Sequence, residues 1–455
     1  MKKSLTAVSV IGLVLQANDS LASELDGKDR DGAALTGTAD EQLDTNVDLA
    51  GIVAGVAEYD QYVFTTSSSG AGEIGQWAAA SGSGLFGTEA ADFICQLGAS
   101  GAGLPNPASY VAWMSDAQDD AYCRAHGLTG QVASDCGASG GLPDSAGPWL
   151  RTDGQLFGGS LSEIVTSGEI YRPVALGASG GLVGSPSAVW TGTKADGTAS
   201  EFNCSNWTSA SSGSGLIGDS LSSTDFWTDQ GAAACFTPAR LNCLSTGASG
   251  AAIAPPSPPY TASERRAFIS SISGSADLSS WALPDGGTPA DDGLQGLAAG
   301  DAICRSLASA GGLASPDVFK ALLVETNGAI EDRFDFRNDW YRVDHIQVIE
   351  SLQDLFTPDL NIQAPIILDE FGSPVNDIPL AWTGMSDRGT SLEQNCNDWS
   401  LGASGQVGAF GAASFADQRM IFSAFQSCSA EARLYCLSDS DQISTGRFSR
   451  EDFYD

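Results

Sequence analysis

Residues 189–207 read VWTGTKADGTASEFNCSNW, and residues 381–399 read AWTGMSDRGTSLEQNCNDW. In both, the Trp of the Trp-Thr-Gly triplet stands 14 residues before a cysteine, and a second tryptophan follows that cysteine by 3. Downstream, Cys235 and Leu241-x-Cys243 return as Cys428 and Leu434-x-Cys436, with the two cysteines 8 apart each time. Chance does not produce such matched spacing. A period of ~190 residues is too long for a solenoid unit, so each copy is expected to be a domain with its own core.

The match extends upstream. Phe64 and Trp77 correspond to Phe268 and Trp281, Asp92-x-x-Cys95 to Asp301-x-x-Cys304, and Trp149-x-Arg151-x-Asp153 to Trp340-x-Arg342-x-Asp344. The copies therefore occupy 60–246 and 264–438. Residues 247–263, with Pro255-Pro-Ser-Pro-Pro259, read as an extended, semi-rigid linker that keeps the copies apart.

Residues 1–22 read as a secretory signal peptide: Lys2 and Lys3, an apolar run from Leu5 to Leu15, and a small-residue site at Ser20-Leu-Ala22. No later stretch approaches ~20 uninterrupted apolar residues, so no membrane insertion is expected. The protein is expected to be exported and to reside outside the cell, on its surface or in the periplasm. Segments 23–59 and 439–455 are acidic and lack a sustained apolar period, which predicts disordered or loosely attached tails.

Ten cysteines in an exported chain predict disulfides. Cys123 and Cys136 occur only in the first copy and are expected to pair with each other. In each remaining foursome the close-set late cysteines and the distant first one suggest an outer bridge enclosing an inner one. The outer bridges would be Cys95–Cys243 and Cys304–Cys436, and the inner ones Cys204–Cys235 and Cys396–Cys428.

The formal net charge is −35, and removal of residues 1–22 takes away Lys2, Lys3 and Asp19 and leaves −36. Such a field repels phosphate backbones, anionic lipids and sulfated glycans, so nucleic acid is excluded as a partner and sulfated glycans are disfavoured.

Tyr62–Thr66 and Arg266–Ser271 read as opening strands, and Arg240–Leu244 and Ala432–Leu437 as closing ones that pair with them. Ala90–Ser100 and Ala298–Ala310 read as helices ending in Gly101 and Gly311. A second short helix includes Leu161, Ile164 and Val165, matched by Leu352, Leu355 and Phe356. The fold class is α+β, with much of the remaining Gly- and Ser-rich chain in loops.

Ala91-Asp-Phe-Ile-Cys95, Trp190-x-Gly192, Glu201-x-x-Cys204-x-x-Trp207, and Cys235 with Leu241-x-Cys243 resemble the endostatin domain of collagen. They are more similar still to its bacterial relatives, the leptospiral endostatin-like surface proteins. The resemblance covers both copies. It implies two tandem C-type-lectin-like domains with twisted antiparallel strands, two helices, a loop-heavy binding side and nested disulfides. It also implies a binding role toward extracellular matrix, complement regulators or glycosaminoglycans. Two departures stand out. The mammalian heparin patch is arginine-rich whereas this chain is acidic, and its zinc site needs histidines near the domain start, whereas this chain has only His126 and His345.

No Ser-His-Asp or Cys-His arrangement and no zinc-type spacing is visible, so no catalytic residue is assigned. Repeated carboxylates offer the chemistry of glycoside hydrolysis or Ca²⁺ binding: Glu201 with Glu393, Asp153 with Asp344, Asp92 with Asp301, and Glu163 with Asp354. Asp92 and Asp301 are expected in the first turn of a helix, where the dipole favours a negative charge. Arg151 with Asp153, and Arg342 with Asp344, are expected as structural ion pairs. Trp190, Trp207, Trp382 and Trp399 are expected in the core.

Glu201, Asn203 and Asn206, and Glu393, Asn395 and Asp398, lie where lectin-like folds present ligand loops; their oxygens suit Ca²⁺, the one cofactor considered. The usual sugar-binding triplets are absent. Asn206-Trp-Thr208 is a formal glycosylation acceptor. The expected function is a secreted or surface binding or adhesion protein without catalysis, recognising an extracellular protein or glycan through two modules. A structural envelope component and a carbohydrate-active enzyme are the alternatives.

Overall fold

In a computed structural model, residues 61–143, 146–246, 265–334, 339–356, 362–375, 377 and 379–439 are described. The expected signal peptide, acidic segment and linker lie outside them, as does the expected C-terminal tail except for Asp439.

In the first copy the strands are β1 (Tyr62–Thr65), β2 (Tyr110–Ala112), β3 (Trp149–Arg151), β4 (Leu156–Gly158), β5 (Ala188–Trp190), β6 (Ser214–Asp219), β7 (Gly231–Ala234) and β8 (Asn242–Ser245). The second copy repeats them as β9 (Arg265–Ile269), β10 (Phe319–Ala321), β11 (Trp340–Arg342), β12 (Gln347–Ile349), β13 (Leu380–Trp382), β14 (Val407–Ala412), β15 (Ala424–Ser427) and β16 (Arg433–Ser438). The sheet order is the same in both. β4-β3-β1-β8-β2 corresponds to β12-β11-β9-β16-β10, and β5-β6-β7 corresponds to β13-β14-β15. β13 joins β16 in parallel; in the first copy that junction is a single parallel bridge, Val189 to Arg240. First and last strands pair antiparallel in each copy, as the sequence predicts.

The sheet is buried on both faces, which is why its inner strands are runs of buried residues rather than alternating ones. Successive side chains of β1 point to opposite sides. Phe64 joins a core with Ile94, Tyr110, Trp190 and Trp207, and Val63 a second core with Trp149, Phe157 and Ile164. Phe268 and Ala267 divide the second copy in the same way.

Helix α1 (Gly87–Ala102) covers the first face with Ala91, Ile94, Cys95 and Ala99. It runs past Gly101, the expected stop, and ends at Gly103, whose left-handed φ of 71° breaks the helical path. Helix α2 (Ala121–Ala125) carries Cys123. Helix α3 (Leu161–Ser167) starts on a Ser160/Glu163 capping box. Its expected counterpart is only one short turn, Leu352–Leu355, with Phe356 outside it. Helix α4 (Gly296–Ala310) repeats α1. Among the described residues no helix is long and apolar enough to cross a membrane.

All five expected bridges are present, Cys95–Cys243, Cys123–Cys136, Cys204–Cys235, Cys304–Cys436 and Cys396–Cys428, with Cα–Cα distances of 5.3–5.7 Å. They fit a protein matured in an oxidising compartment.

The copies are not held apart as the proline-rich linker suggests; the described residues of both belong to one compact unit. Ser222 forms an antiparallel bridge with Phe415, where Ala416 N–H donates to Leu221 O at 2.9 Å and Ser223 N–H to Ser414 O at 3.3 Å. Positions 222 and 415 differ by 193, as do Cys235 and Cys428, so each copy offers the same segment to the other. A contact between equivalents is the mark of a two-fold. Nearby, Phe226 stacks on Phe415 at 6.0 Å between ring centroids. Further along the seam, Leu156 and Tyr171 pack with Ile346 and Ala364. Composition alone does not reveal such a seam, because the hydrogen bonds at the Ser222–Phe415 bridge are between backbone atoms.

Candidate functional site

The duplicated Asn-Cys-x-x-Trp motif folds as a left-handed helical turn. Cys204, Ser205, Asn206 and Trp207 have φ of 48°, 56°, 55° and 60°, and Cys396, Asn397, Asp398 and Trp399 have 55°, 56°, 53° and 65°. For L-residues this conformation costs roughly 1–2 kcal/mol per residue, so it persists only where the surroundings impose it. Three restraints do so. The cysteine is tied by the inner disulfide. Trp207 is fully buried and its indole N–H donates to Ser115 O at 2.8 Å, as that of Trp399 does to Val324 O at 2.7 Å. Asn203 Oδ1 accepts from Asn206 N–H, and Asn395 Oδ1 from Asp398 N–H, both at 3.1 Å.

The Trp-Thr-Gly triplet serves the same turn. Gly192 has a φ of 58°, and a Cβ there would stand 2.6 Å from Cζ2 of Trp207; Gly384 and Trp399 repeat the relation at 2.6 Å. Trp190 and Trp382 are also fully buried, each beside the turn's tryptophan.

The expected ligand oxygens are largely occupied by this construction. Asn203 Nδ2 donates to Asn206 Oδ1 at 3.1 Å, and the same oxygen accepts from Ala117 N–H at 3.0 Å. Asp398 Oδ1 accepts from Thr326 N–H at 2.7 Å and from Asn395 Nδ2 at 2.8 Å. The Thr326 backbone bond holds the Asp398 carboxyl below the usual range. Glu201 and Glu393 are exposed at the rim. Among the described residues no group of three His, Cys, Asp or Glu side chains is placed to hold a metal ion.

The two turns carry different surroundings. In the first copy Phe86 (59 % exposed) precedes Gly87, where a Cβ would sit 3.0 Å from Asn206 O. Phe202 (40 %) lies two residues before Cys204, and Phe236 (70 %) follows Cys235. The equivalent positions in the second copy are Gln295, Gln394 and Ser429. There an open groove of about 680 Å³ runs between the start of α4 and the turn, with Asp301, Glu325 and Asp398 against Arg333. A separate cavity of about 670 Å³ in the first copy lies between α1 and residues 177–184, over Arg240. That guanidinium is spent on the carbonyls of Thr66, Ser67, Gly184, Ser185 and Pro186.

Asp92 and Asp301 do not act at a helix start, because α1 and α4 begin five residues before them. Asp92 accepts from Ala112 N–H at 2.8 Å and pairs with Arg124 at 2.5 Å. Asp301 accepts from Ala321 N–H at 2.9 Å and pairs with Arg333 at 2.6 Å. Each arginine stands 32 residues after its aspartate, so a repeated spacing marks the pair in the sequence.

Arg151 pairs with Asp153, and Arg342 with Asp344 at 2.6 Å, each through Nε and Nη2. Burial pushes both carboxyls up, and the arginines outweigh it and bring them below the ordinary range. Both pairs lie at the seam, where Arg151 Nη2 also donates to Gln363 of the second copy at 3.3 Å. The two histidines are held by local contacts. His126 Nε2 accepts from Ala146 N–H at 3.2 Å while Nδ1 faces Tyr122 O at 2.9 Å, and His345 Nδ1 lies 2.7 Å from Arg266 Nη2. Glu163 and Asp354 sit in capping boxes.

No protein-family model matches the chain, and a search of curated proteins finds no match.

Proposed function

We propose that the chain is an exported, non-catalytic binding protein of the endostatin-like, C-type-lectin-like type, whose ligand is an extracellular protein or glycan. The observation that carries the reading is three exposed aromatics next to a disulfide-held left-handed turn: Phe86 beside Gly87, Phe202 just before Cys204 and Phe236 after the bridging Cys235. Aromatic side chains presented on backbone that cannot relax lose little freedom on binding and make strong anchors. The second copy keeps the turn, has Gln295, Gln394 and Ser429 in place of these aromatics and borders an acidic groove, so the two modules engage chemically different surfaces.

The test is an array of matrix proteins and glycans probed with the mature chain at high salt, with Ca²⁺ and again with EDTA, beside a Phe202→Ala/Phe236→Ala variant. The expected result is EDTA-resistant binding that the variant loses at least tenfold. Binding abolished by EDTA and unchanged in the variant would instead assign recognition to the oxygens of Glu201, Glu393 and Asp398. Absence of any binding would reject the reading in favour of a structural role in the producer's own envelope.

A further inference from the structure

Arg172 is only 8 % exposed, yet among the described residues it has no ion-pair partner, and its Nε is buried with no acceptor. It lies at the seam between the copies, next to Tyr171, which packs on Ile346 and Ala364 of the second copy. The charges that act on it are those of Arg151 and Arg342, which repel it, and Asp153 and Asp344, which attract it. Both acids are already engaged through two oxygens by Arg151 and Arg342. Three guanidiniums therefore share two carboxylates.

A second donor there is unsatisfied. Nη1 of Arg342, a residue 2 % exposed, is buried without an acceptor, whereas the equivalent Nη1 of Arg151 donates to Pro173 O at 3.3 Å. Burial first, then Arg151 and Arg342, push Arg172 down to about 10. An unpaired buried cation is costly, and a planar guanidinium is suited to oxyanions. The excess is also asymmetric. Leu176 O and Leu368 O accept from equivalent strand residues, which sets position 172 against Ala364, so the duplicated chain has this arginine once.

We propose that the seam is an anion site: one oxyanion of the phosphate, sulfate or carboxylate class binds per chain at Arg172, with Nη1 of Arg342 as second donor. The anion neutralises the excess charge and ties the copies together. This does not depend on the surface binding proposed above.

The experiment is equilibrium dialysis of the mature chain against labelled inorganic phosphate at fixed ionic strength, with thermal unfolding in phosphate, sulfate, acetate or chloride. Saturable uptake of one phosphate per chain is expected, with a rise in Tm that grows with the logarithm of phosphate concentration. Arg172→Met should lose both. A response to acetate and not to phosphate or sulfate would identify the ligand as a carboxylate. No saturable uptake of any of these anions by the wild-type chain would overturn the proposal even if the variant fails to fold, and so would uptake that survives in a folded Arg172→Met chain.

Discussion

Arg419 of the second copy donates to the Asp219 carboxylate of the first at 2.7 Å while its guanidinium lies 3.7 Å over the ring of Phe415. Asp219 is almost fully buried and also accepts from Ser187 Oγ and Leu221 N–H, both at 3.0 Å. The pair thus locks the segment that forms the bridge between copies. Arg419→Ala should lower stability by about 2 kcal/mol, the usual loss for a hydrogen bond to a charged group. Urea unfolding should show it as a lower midpoint, and an unchanged midpoint would mean that the seam does not contribute to folding.

Asp153 and Asp344 titrate below their ordinary range because Arg151 and Arg342 outweigh the effect of burial. A carboxylate depressed in the folded state contributes stability above its unfolded pKa of about 3.9 and loses it as pH falls through the folded value. Asp344→Asn should therefore be less stable than wild type at pH 7, with the gap in Tm closing below about pH 4. A gap that stayed constant across that range would rule out the ion pair as its source.

The outer bridge Cys95–Cys243 spans 148 residues and Cys123–Cys136 spans 13. On the chain-entropy account, removing the outer pair by double serine substitution should cost about 2 kcal/mol more than removing the short one. Denaturant unfolding of the two variants measures this difference directly, and equal losses would point to native-state contacts rather than loop length.

Ser205 is exposed in a left-handed turn with φ 56° and ψ 53°. Glycine there should stabilise the chain by about 1 kcal/mol by removing the Cβ conflict, whereas in a right-handed helix the same change would destabilise by a similar amount. The sign of the shift in Tm for Ser205→Gly separates the two conformations.

Much of the frame was legible in the chain because it is written twice. The spacing from Trp190 to Cys243 and from Trp382 to Cys436 marks matched cores, and the paired cysteines close where that spacing suggests. The remainder depends on relations that no linear pattern states. Asn206 and Asp398 read as free metal-type ligands, yet they lie inside a left-handed turn capped by Asn203 and Asn395, and their side-chain oxygens accept from Ala117 N–H and Thr326 N–H. The linker's composition favours extension and does not announce the seam, whose joints are backbone bonds at Leu221, Ser223, Ser414 and Ala416 and side-chain bonds from Arg419 to Asp219 and from Arg151 to Gln363.

The self-equivalent bridge at Ser222 and Phe415 describes a dimer made within a single polypeptide. In a true homodimer every substitution appears on both sides of the axis at once, so a change that suits one half must be tolerated by the other. Fusion removes that constraint. Position 226 is phenylalanine while its equivalent, 419, is arginine, and position 172 is arginine while 364 is alanine. Covalent linkage leaves the two halves of this surface free to differ, and Arg172 and Arg419 are unrepeated charges at the seam of an otherwise duplicated molecule.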